Sequence, residues 1–395
     1  MDKSNAAVVR AHNERLILEH VLEHQPVSRA ELSRSTKLNK VSVSEIVSTL
    51  LTEGLIRETG SGESSGGRRP VLLEQNRERA LVFVINLAPD ELTAAAAWLD
   101  GSFLFEPLSR EIDITRDDVV GLLEDEVNFL MDRCREITED YYLAPDIAGL
   151  TIAIHGNVYN NDILFTPYYD LKGLELARKL ETIYPFPVYL HNEANLSALG
   201  ELSLTDPGAD FISISIHSGI GGGLIRGGKL DVGQQGFSGE IGHMIVRPEG
   251  ISCPCGNHGC IEQYASDRAL RLLYRKRSGK PTARFRDIIE AYRRLDPDAI
   301  VCIQQFTEYM AILINNVIRL LDPSSVILHS RITAALPEVI PSIERQIKCE
   351  IKSGTRIRTS RLGDLAVLYG GIYQAAIEYY QVGHLHLRPE RSLRS

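Results

Sequence analysis

The sequence CPCGNHGC at residues 253–260 places three of the chain's six cysteines within eight positions, and His243 stands ten residues ahead of the first of them. The spacing is H-x9-C-x-C-x4-C, and two glycines inside it let the backbone fold back on itself. Three thiolates and one imidazole form a closed tetrahedral set, which is typical of structural zinc. We therefore predict a structural Zn2+ site formed by His243, Cys253, Cys255 and Cys260. His258, inside the turn, is the alternative fourth ligand.

A disulfide or a redox pair is the other chemistry open to clustered cysteines, and the rest of the chain argues against both. The first residues, MDKSNAAVVRAHNER, are polar and charged, unlike a signal peptide. No apolar run is long enough to cross a bilayer. We therefore expect a cytoplasmic protein without a membrane partner, in a compartment that keeps thiols reduced. Hydrophobic content of 44% and charged content of 24% are ordinary for a globular protein.

Polar residues that suit a small-molecule site lie on both sides of this cysteine cluster. Glu240 and Glu262 flank it, and their carboxylates can accept hydrogen bonds from ligand hydroxyls. Further upstream, LHNEANLSALGE contains Asn192 and Glu193 where a predicted strand ends and a helix begins. Such strand ends commonly hold small ligands, and a carboxylate beside a carboxamide suits neighbouring sugar hydroxyls. Capping of the helix by Asn192 is an equally good interpretation.

The glycine cluster SGIGGG at residues 218–223 lies between two predicted strands. Backbone N–H groups at glycines can approach a phosphate closely, and the same glycines can form a tight hairpin. The sequence alone leaves both interpretations open.

The N-terminal part of the chain differs from the rest in charge and in pattern. Residues 1–79 carry 12 Lys and Arg against 11 Asp and Glu, a net charge of +1, while the whole chain carries −9. Helical spacing at residues 8–24, a capping box opened by Ser28 and Glu31, and a third helix at about residues 41–52 are followed by two strands. This pattern predicts a winged helix-turn-helix domain at residues 1–79, with a small helical packing domain as the alternative.

Side chains in two places of this domain suit DNA. The third helix exposes small or basic residues to a major groove, namely Lys40, Ser42 and Ser44. The strip SSGGRRP then brings Arg68 and Arg69 to the end of a flexible loop, and a narrow minor groove attracts arginine. A solvated linker between domains would have the same composition. From residue 80 the pattern is alternating α/β, which predicts one lobe at residues 80–190 and a second at residues 191–395 whose C-terminal helix returns to the first.

Taken together, these residues resemble the ROK family, named for repressors, open reading frames and kinases. GEIGH and CPCGNHGCIE are similar to the family's G-E-x-G-H and C-x-C-G-x-x-G-C-x-E signatures, and SSGGRRP resembles the interdomain strip of its repressors. The stretches LNKVSVSEIVSTL, FSGEIGH and NEAN look most like the xylose repressors. The resemblance implies a two-lobed, actin-like (sugar-kinase-like) body behind the winged helix-turn-helix. It assigns a monosaccharide site to Asn192, Glu193, Glu240, His243 and Glu262.

Three departures from the family's kinases imply that the protein is not an enzyme. Residues 85–91, INLAPDE, replace the phosphate loop D-x-G-G-T, and Glu193 replaces the catalytic Asp. VILHSR puts His329 where the kinases carry a glycine-rich turn. Phosphoryl transfer requires clamped phosphates and a well-placed base. His155 also replaces the family's usual Pro in a loop that faces the sugar, where it changes sugar selection or only repacks the loop.

The sequence therefore predicts a sugar-responsive repressor of carbohydrate utilisation genes, with xylose as the candidate sugar. A homodimer would present two DNA-binding domains to a palindromic operator, and a tetramer is the alternative. Two other functions stay open: an ATP-dependent sugar kinase fused to a DNA-binding domain, and a body that senses a protein partner.

Overall fold

The computed structural model describes residues 3–61, 69–139, 145–167, 169–205, 207–348 and 354–390. Within these ranges, no helix combines the length and the apolar character that a bilayer crossing requires.

The N-terminal unit consists of three helices and a small antiparallel sheet. Its elements are α1 (Lys3–His24), β1 (Val27–Ser28), α2 (Arg29–Thr36), α3 (Lys40–Thr52), β2 (Ile56–Ser61) and β3 (Val71–Gln75). Ser28 and Glu31 form the predicted capping box at the start of α2. The three helices bury Ile17, Leu32 and Val47 completely. The short strand β1 was not predicted, and it makes the sheet three-stranded in the order β1-β3-β2.

The first lobe is built on a mixed five-stranded sheet. Its elements are β4 (Ala80–Leu87), β5 (Glu91–Trp98), β6 (Leu108–Glu111), α4 (Val119–Thr138), β7 (Asp146–Ile154), β8 (Asn157–Tyr159), β9 (Asp162–Phe165), α5 (Leu176–Ile183) and β10 (Val188–Asn192). The strand order is β10-β7-β4-β5-β6, with β10, β7 and β4 parallel. Strands β8 and β9 form a separate hairpin. The lobe boundary expected after residue 190 falls inside β10.

The second lobe repeats the plan with a larger helical layer. Its elements are α6 (Glu193–Leu204), β11 (Phe211–Ile216), β12 (Ile220–Arg226), β13 (Lys229–Leu230), α7 (Glu262–Ala265), α8 (Asp267–Ser278), α9 (Phe285–Arg293), α10 (Pro297–Leu321), β14 (Ser325–Ser330), α11 (Arg331–Ala335), α12 (Val339–Gln346), β15 (Arg356–Thr359) and α13 (Leu365–Tyr380). The strand order is β13-β12-β11-β14-β15.

Helices α6 and α13 cross between the two sheets at backbone contact. A Cβ atom on Gly370 of α13 would overlap the carbonyl oxygen of Leu196, and one on Gly200 of α6 would overlap that of Ala366. Helix α13 also packs on β4 and β7 of the first sheet. Because α6 follows β10 directly, this crossing fixes the position of the side chains at the start of α6.

Candidate functional site

The four predicted metal ligands converge. His243 ends a single 3-10 turn (Ile241–His243), and its Nδ1 lies 3.5 Å from the Sγ of Cys253. The Sγ atoms of Cys255 and Cys260 are 3.6 Å apart, and all four ligand atoms lie within 4.8 Å of one another. His258 is exposed and is not a member of this group, so the alternative ligand is wrong.

The donor set fits a tetrahedral ion. Bonds of about 2.3 Å to sulfur and about 2.0 Å to nitrogen imply S···S separations of about 3.8 Å and S···N separations of about 3.5 Å. The observed distances agree with both values. Burial raises the pKa of the Cys260 thiol to about 11, so this thiol needs a bound cation to ionise at neutral pH. The cluster can therefore hold a metal ion.

The five side chains expected at the sugar site line a single cavity between the lobes, although they are spread over residues 192–262 of the sequence. We call it the sugar-site cavity. The five residues are Asn192, Glu193, Glu240, His243 and Glu262. The cavity is also lined by residues that sequence reasoning did not assign to the site, including Asn157, Ser215 and His217. The metal cluster borders the cavity through His243, whose Nε2 lies 3.7 Å from the Oε2 of Glu240.

Glu193 is held as a buried carboxylate at the start of α6. Ser197 Oγ and Ser215 Oγ donate to its Oε1 at 2.8 and 2.9 Å, and the Nε2 of His217 lies 3.8 Å away. Burial alone would raise the pKa of Glu193. Interactions with the imidazoles of His217 and His155 and with the two hydroxyl donors outweigh burial and hold the pKa of Glu193 below its ordinary value. Glu193 is therefore an ionised acceptor at neutral pH.

Asn192 uses both ends of its amide. Its Oδ1 accepts from the backbone N of Asn195 and caps α6, while its Nδ2 donates to the carbonyl oxygen of Gly156 at 2.7 Å. The capping interpretation is therefore correct, and the same residue also lines the cavity. Asn192 fixes the loop that carries His155 against the start of α6.

His155 stands in this loop as a neutral side chain. Burial lowers the pKa of His155 to about 4. The Nε2 of His155 lies 3.0 Å from the Oδ1 of Asn86, an acceptor, so Nε2 carries the proton. His155 lines the sugar-site cavity, which is compatible with a role in sugar selection.

The glycine cluster SGIGGG forms a tight hairpin, one of the two structures that the sequence left open. The turn lies between β11 and β12, and the backbone N of Gly222 donates to the carbonyl oxygen of Gly239 at 2.8 Å. A Cβ atom on Gly239 would overlap the carbonyl oxygen of Gly222. The glycines thus let the loop that carries Glu240 pack directly against the hairpin.

Comparison with known proteins places this architecture in a family. The ROK family profile matches residues 102–373, more than half of the chain. The chain belongs to the ROK family. The resemblance found in the sequence motifs is thereby confirmed, and the body has the actin-like, sugar-kinase-like ROK fold.

Three similar proteins are a repressor, a transcriptional regulator and a kinase. The xylose repressor of Bacillus subtilis (strain 168) is 32% identical, over 89% of this chain and 91% of the relative. The structure of a ROK transcriptional regulator, a homologue of the E. coli MLC protein, is 27% identical with a TM-score of 0.78, over 94% of this chain and 98% of the regulator. A ROK glucokinase from Streptomyces griseus, in complex with glucose and AMPPNP, is 25% identical with a TM-score of 0.63, over 74% of this chain and 98% of the kinase.

A second cavity, of about 330 Å³, adjoins the sugar-site cavity, and His155 and Glu193 line both. Its walls include INLAPDE residues, His329 and Arg331, which are the departures from the ROK kinase pattern. Asp267 also lines it, and burial raises the pKa of that carboxyl to about 7. No sequence pattern marks this buried acid, because Asp267 has the position of an ordinary first-turn residue of α8.

The residues expected to contact DNA all belong to the N-terminal unit of this ROK chain. Lys40 and Ser44 are exposed on the first turns of α3, and Ser42 between them is half-buried. The backbone N of Ser42 donates to the capping Asn39 Oδ1 at 2.9 Å. Arg69 is exposed just before β3, and Arg68 lies outside the described residues.

Proposed function

We propose that this ROK protein is a transcriptional repressor that binds operator DNA through its N-terminal unit and is released by a monosaccharide, with D-xylose as the first candidate. The observation that carries this proposal is the match to the xylose repressor over nearly the whole length of both chains. The regulator neighbour likewise covers 94% of the chain, whereas the glucokinase covers 74%. The N-terminal unit therefore favours the regulators over the kinases.

In this proposal the N-terminal unit acts as a winged helix-turn-helix. Helices α2 and α3 are joined by a three-residue turn, and β2 and β3 form the wing. Lys40, Ser42 and Ser44 would face the major groove from the start of α3, and Arg68 and Arg69 would reach the minor groove from the wing. A homodimer would set two such units on a palindromic operator in the cytoplasm.

The sugar-site cavity supplies the chemistry that a monosaccharide needs. Glu193, Glu240 and Glu262 are acceptors for sugar hydroxyls, and His243 is a donor. With Nδ1 of His243 turned towards Cys253, a structural Zn2+ would bind that nitrogen and leave the proton on Nε2, on the side of Glu240. The metal would thus orient one sugar ligand and perform no chemistry of its own.

The environment of Glu193 opposes kinase activity. A general base for a sugar hydroxyl needs a pKa near the working pH. In Glu193 one oxygen already accepts from Ser197 and Ser215, and the pKa is held below its ordinary value. We therefore propose that the site binds sugar and does not phosphorylate it.

The C-terminal segment, residues 381–390, offers a route from the sugar site to the DNA-binding unit. The backbone N of Leu387 donates to the carbonyl oxygen of Ser203 at the far end of α6. The backbone N of Gly383 donates to Glu19 Oε1 on α1 at 2.8 Å. A displacement of α6 on sugar binding would therefore reach α1 through this segment. Coupling of this kind requires that the sugar bind the two states with different affinity.

Fluorescence anisotropy of a labelled operator, titrated with D-xylose and a panel of other pentoses and hexoses, tests the proposal. We expect one sugar to weaken operator binding. Unchanged operator affinity with every sugar would overturn the effector assignment. An ATP-dependent phosphorylation assay on the same sugars distinguishes the kinase, because turnover that is lost in Glu193→Gln would establish an enzyme.

A further inference from the structure

The hairpin of β8 and β9 in the first lobe lies against residues 234–240 of the second lobe, at one edge of the sugar-site cavity. Asn157 Nδ2 donates to the carbonyl oxygen of Gly236 at 2.8 Å and to Glu240 Oε1 at 3.2 Å. Tyr159 Oη donates to the carbonyl oxygen of Gln234 at 3.0 Å. Three hydrogen bonds therefore join the two lobes where the cleft would open.

The orientation of the Asn157 amide follows from its neighbours. Both groups within reach of one end, the Gly236 carbonyl and the Glu240 carboxylate, are acceptors, so this end must be the NH2 group. Asn157 is buried, with 4% of its surface exposed. Among the described residues, its side chain makes no hydrogen bond within the first lobe. The hydrogen bonds of its side chain therefore join the two lobes.

The second contact, between Gly236 and Tyr159, requires glycine. Gly236 has a φ of +78°, and a Cβ atom there would lie 2.8 Å from the Cβ of Tyr159 and 3.0 Å from its Cγ. Glycine thus lets the backbone approach Tyr159 closely enough for its hydroxyl to reach Gln234. Tyr159 is only partly buried, so loss of its hydroxyl leaves no buried polar group without a partner.

Glu240 links this contact to the ligand site. Its side chain is 32% exposed, and a carboxylate with that freedom would adopt several rotamers. Asn157 holds one oxygen, and the other faces the Nε2 of His243 at 3.7 Å. The amide therefore selects the orientation in which Glu240 faces the cavity.

From this geometry we infer that Asn157 and Tyr159 form an inter-lobe clasp, in which Asn157 is a positioning residue for Glu240 and the clasp holds the cleft closed on the effector. The inference rests on the proposed sugar-binding function. Opening the cleft breaks the three bonds, so the clasp stabilises only the closed state. The clasp therefore increases the affinity of a ligand that binds the closed state, and it contributes nothing to the open state.

The test uses the full-length chain and the variants Asn157→Ala and Tyr159→Phe. Isothermal titration with D-xylose, L-arabinose, D-glucose and N-acetylglucosamine gives the Kd of the tightest ligand, and operator anisotropy without sugar gives DNA affinity. We expect Asn157→Ala to weaken sugar binding about tenfold or more, because a bond to a charged group is lost. Tyr159→Phe should weaken it by a smaller factor, about threefold. Operator affinity without sugar should stay within about twofold of wild type.

The matched control is Asn161→Gly, on the same hairpin. Among the residues that the structure describes, the side chain of Asn161 bonds only to Val188 and Leu190 of the first lobe, and its φ of +64° suits glycine. This variant should lower thermal stability and leave the sugar Kd unchanged. If wild-type protein responds to a sugar while Asn157→Ala and Tyr159→Phe bind it with wild-type Kd, the clasp is refuted. If wild-type protein binds none of the four sugars and shows no operator response to them, the proposed function fails instead.

Discussion

Replacing Gly370 by alanine tests the helix crossing that positions the proposed sugar site. In an unconstrained helix, Gly→Ala stabilises by about 1 kcal/mol because the unfolded chain loses conformational freedom. At Gly370 the added Cβ would overlap the carbonyl oxygen of Leu196, a backbone atom that cannot rotate away. Helices α6 and α13 must therefore separate, and α6 is buried along almost its whole length.

The expected cost follows from these two opposing effects. Overpacking in a close-packed core costs about 1–3 kcal/mol, and occasionally more. A backbone overlap belongs at the upper end, so after subtraction of the helix-propensity gain we expect a net loss of about 2 kcal/mol. For lobes of this size, that loss corresponds to a decrease in Tm of about 4–8 °C. Because Glu193 begins α6, sugar affinity should fall as well.

Thermal melts followed by circular dichroism, with Gly121→Ala as the control, measure the effect. Gly121 is also helical, but its added Cβ would meet only the flexible Asp118 side chain, at 2.8 Å from Oδ2. We expect the control to keep its Tm or raise it slightly. A Tm for Gly370→Ala equal to or above that of wild type would show that the crossing tolerates a methyl group and would refute this packing argument.

Three further changes probe the site. Glu193→Gln should weaken sugar binding about 10–100-fold by calorimetry while operator affinity without sugar stays unchanged, because a charged acceptor is lost; an unchanged Kd would remove Glu193 from the site. Cys255→Ser should lower the zinc content, measured by atomic emission, well below one ion per chain, and should abolish the sugar response at an intact operator affinity. A full zinc complement in that variant would contradict the ligand assignment. His155→Gln should flatten the pH dependence of unfolding. The folded-state pKa of His155 is lowered to about 4, so as the pH falls protons bind the unfolded state first. Between pH 7 and pH 5 the free energy of unfolding of wild type should therefore fall by about 2 kcal/mol relative to that of the variant. Urea titrations at the two pH values measure this difference. Parallel curves for the two proteins would contradict a neutral His155 in the folded protein.

Local patterns in the sequence predicted the features that depend on neighbouring residues. The capping box at Ser28 and the third helix, predicted at about residues 41–52 and found at Lys40–Thr52, are set within one or two helical turns. The cysteine spacing likewise determines a local geometry, since a tight turn brings Cys255 and Cys260 together whatever surrounds them. Chain pattern was sufficient for these elements because each is stabilised mainly by its own segment.

The clasp and the second cavity could not be predicted because they depend on residues far apart in the chain. Asn157 and Glu240 are separated by 83 positions, and Asn157 has no periodicity or spacing that would mark it. Asp267 has the sequence position of an ordinary first-turn acid of α8, and only the packed fold shows that it is buried. The choice between His243 and His258 also required the fold, since both lie at spacings that a turn could accommodate. Only the packing of two lobes decides such contacts.

The metal cluster and the proposed effector site share His243, and this sharing predicts the order in which functions fail. His243 contributes Nδ1 to the cluster and presents Nε2 towards Glu240, so loss of the ion would free the imidazole to change its tautomer and its rotamer. Glu262 would change as well, because its Oε1 lies 3.0 Å from the Sγ of Cys253. Two proposed sugar ligands would thus depend on the ion directly, whereas the residues proposed to contact DNA on α3 belong to a separate unit with its own buried core. A chelated protein should therefore keep its operator affinity at metal concentrations where it has already lost its response to sugar, and it would act as a repressor that cannot be induced.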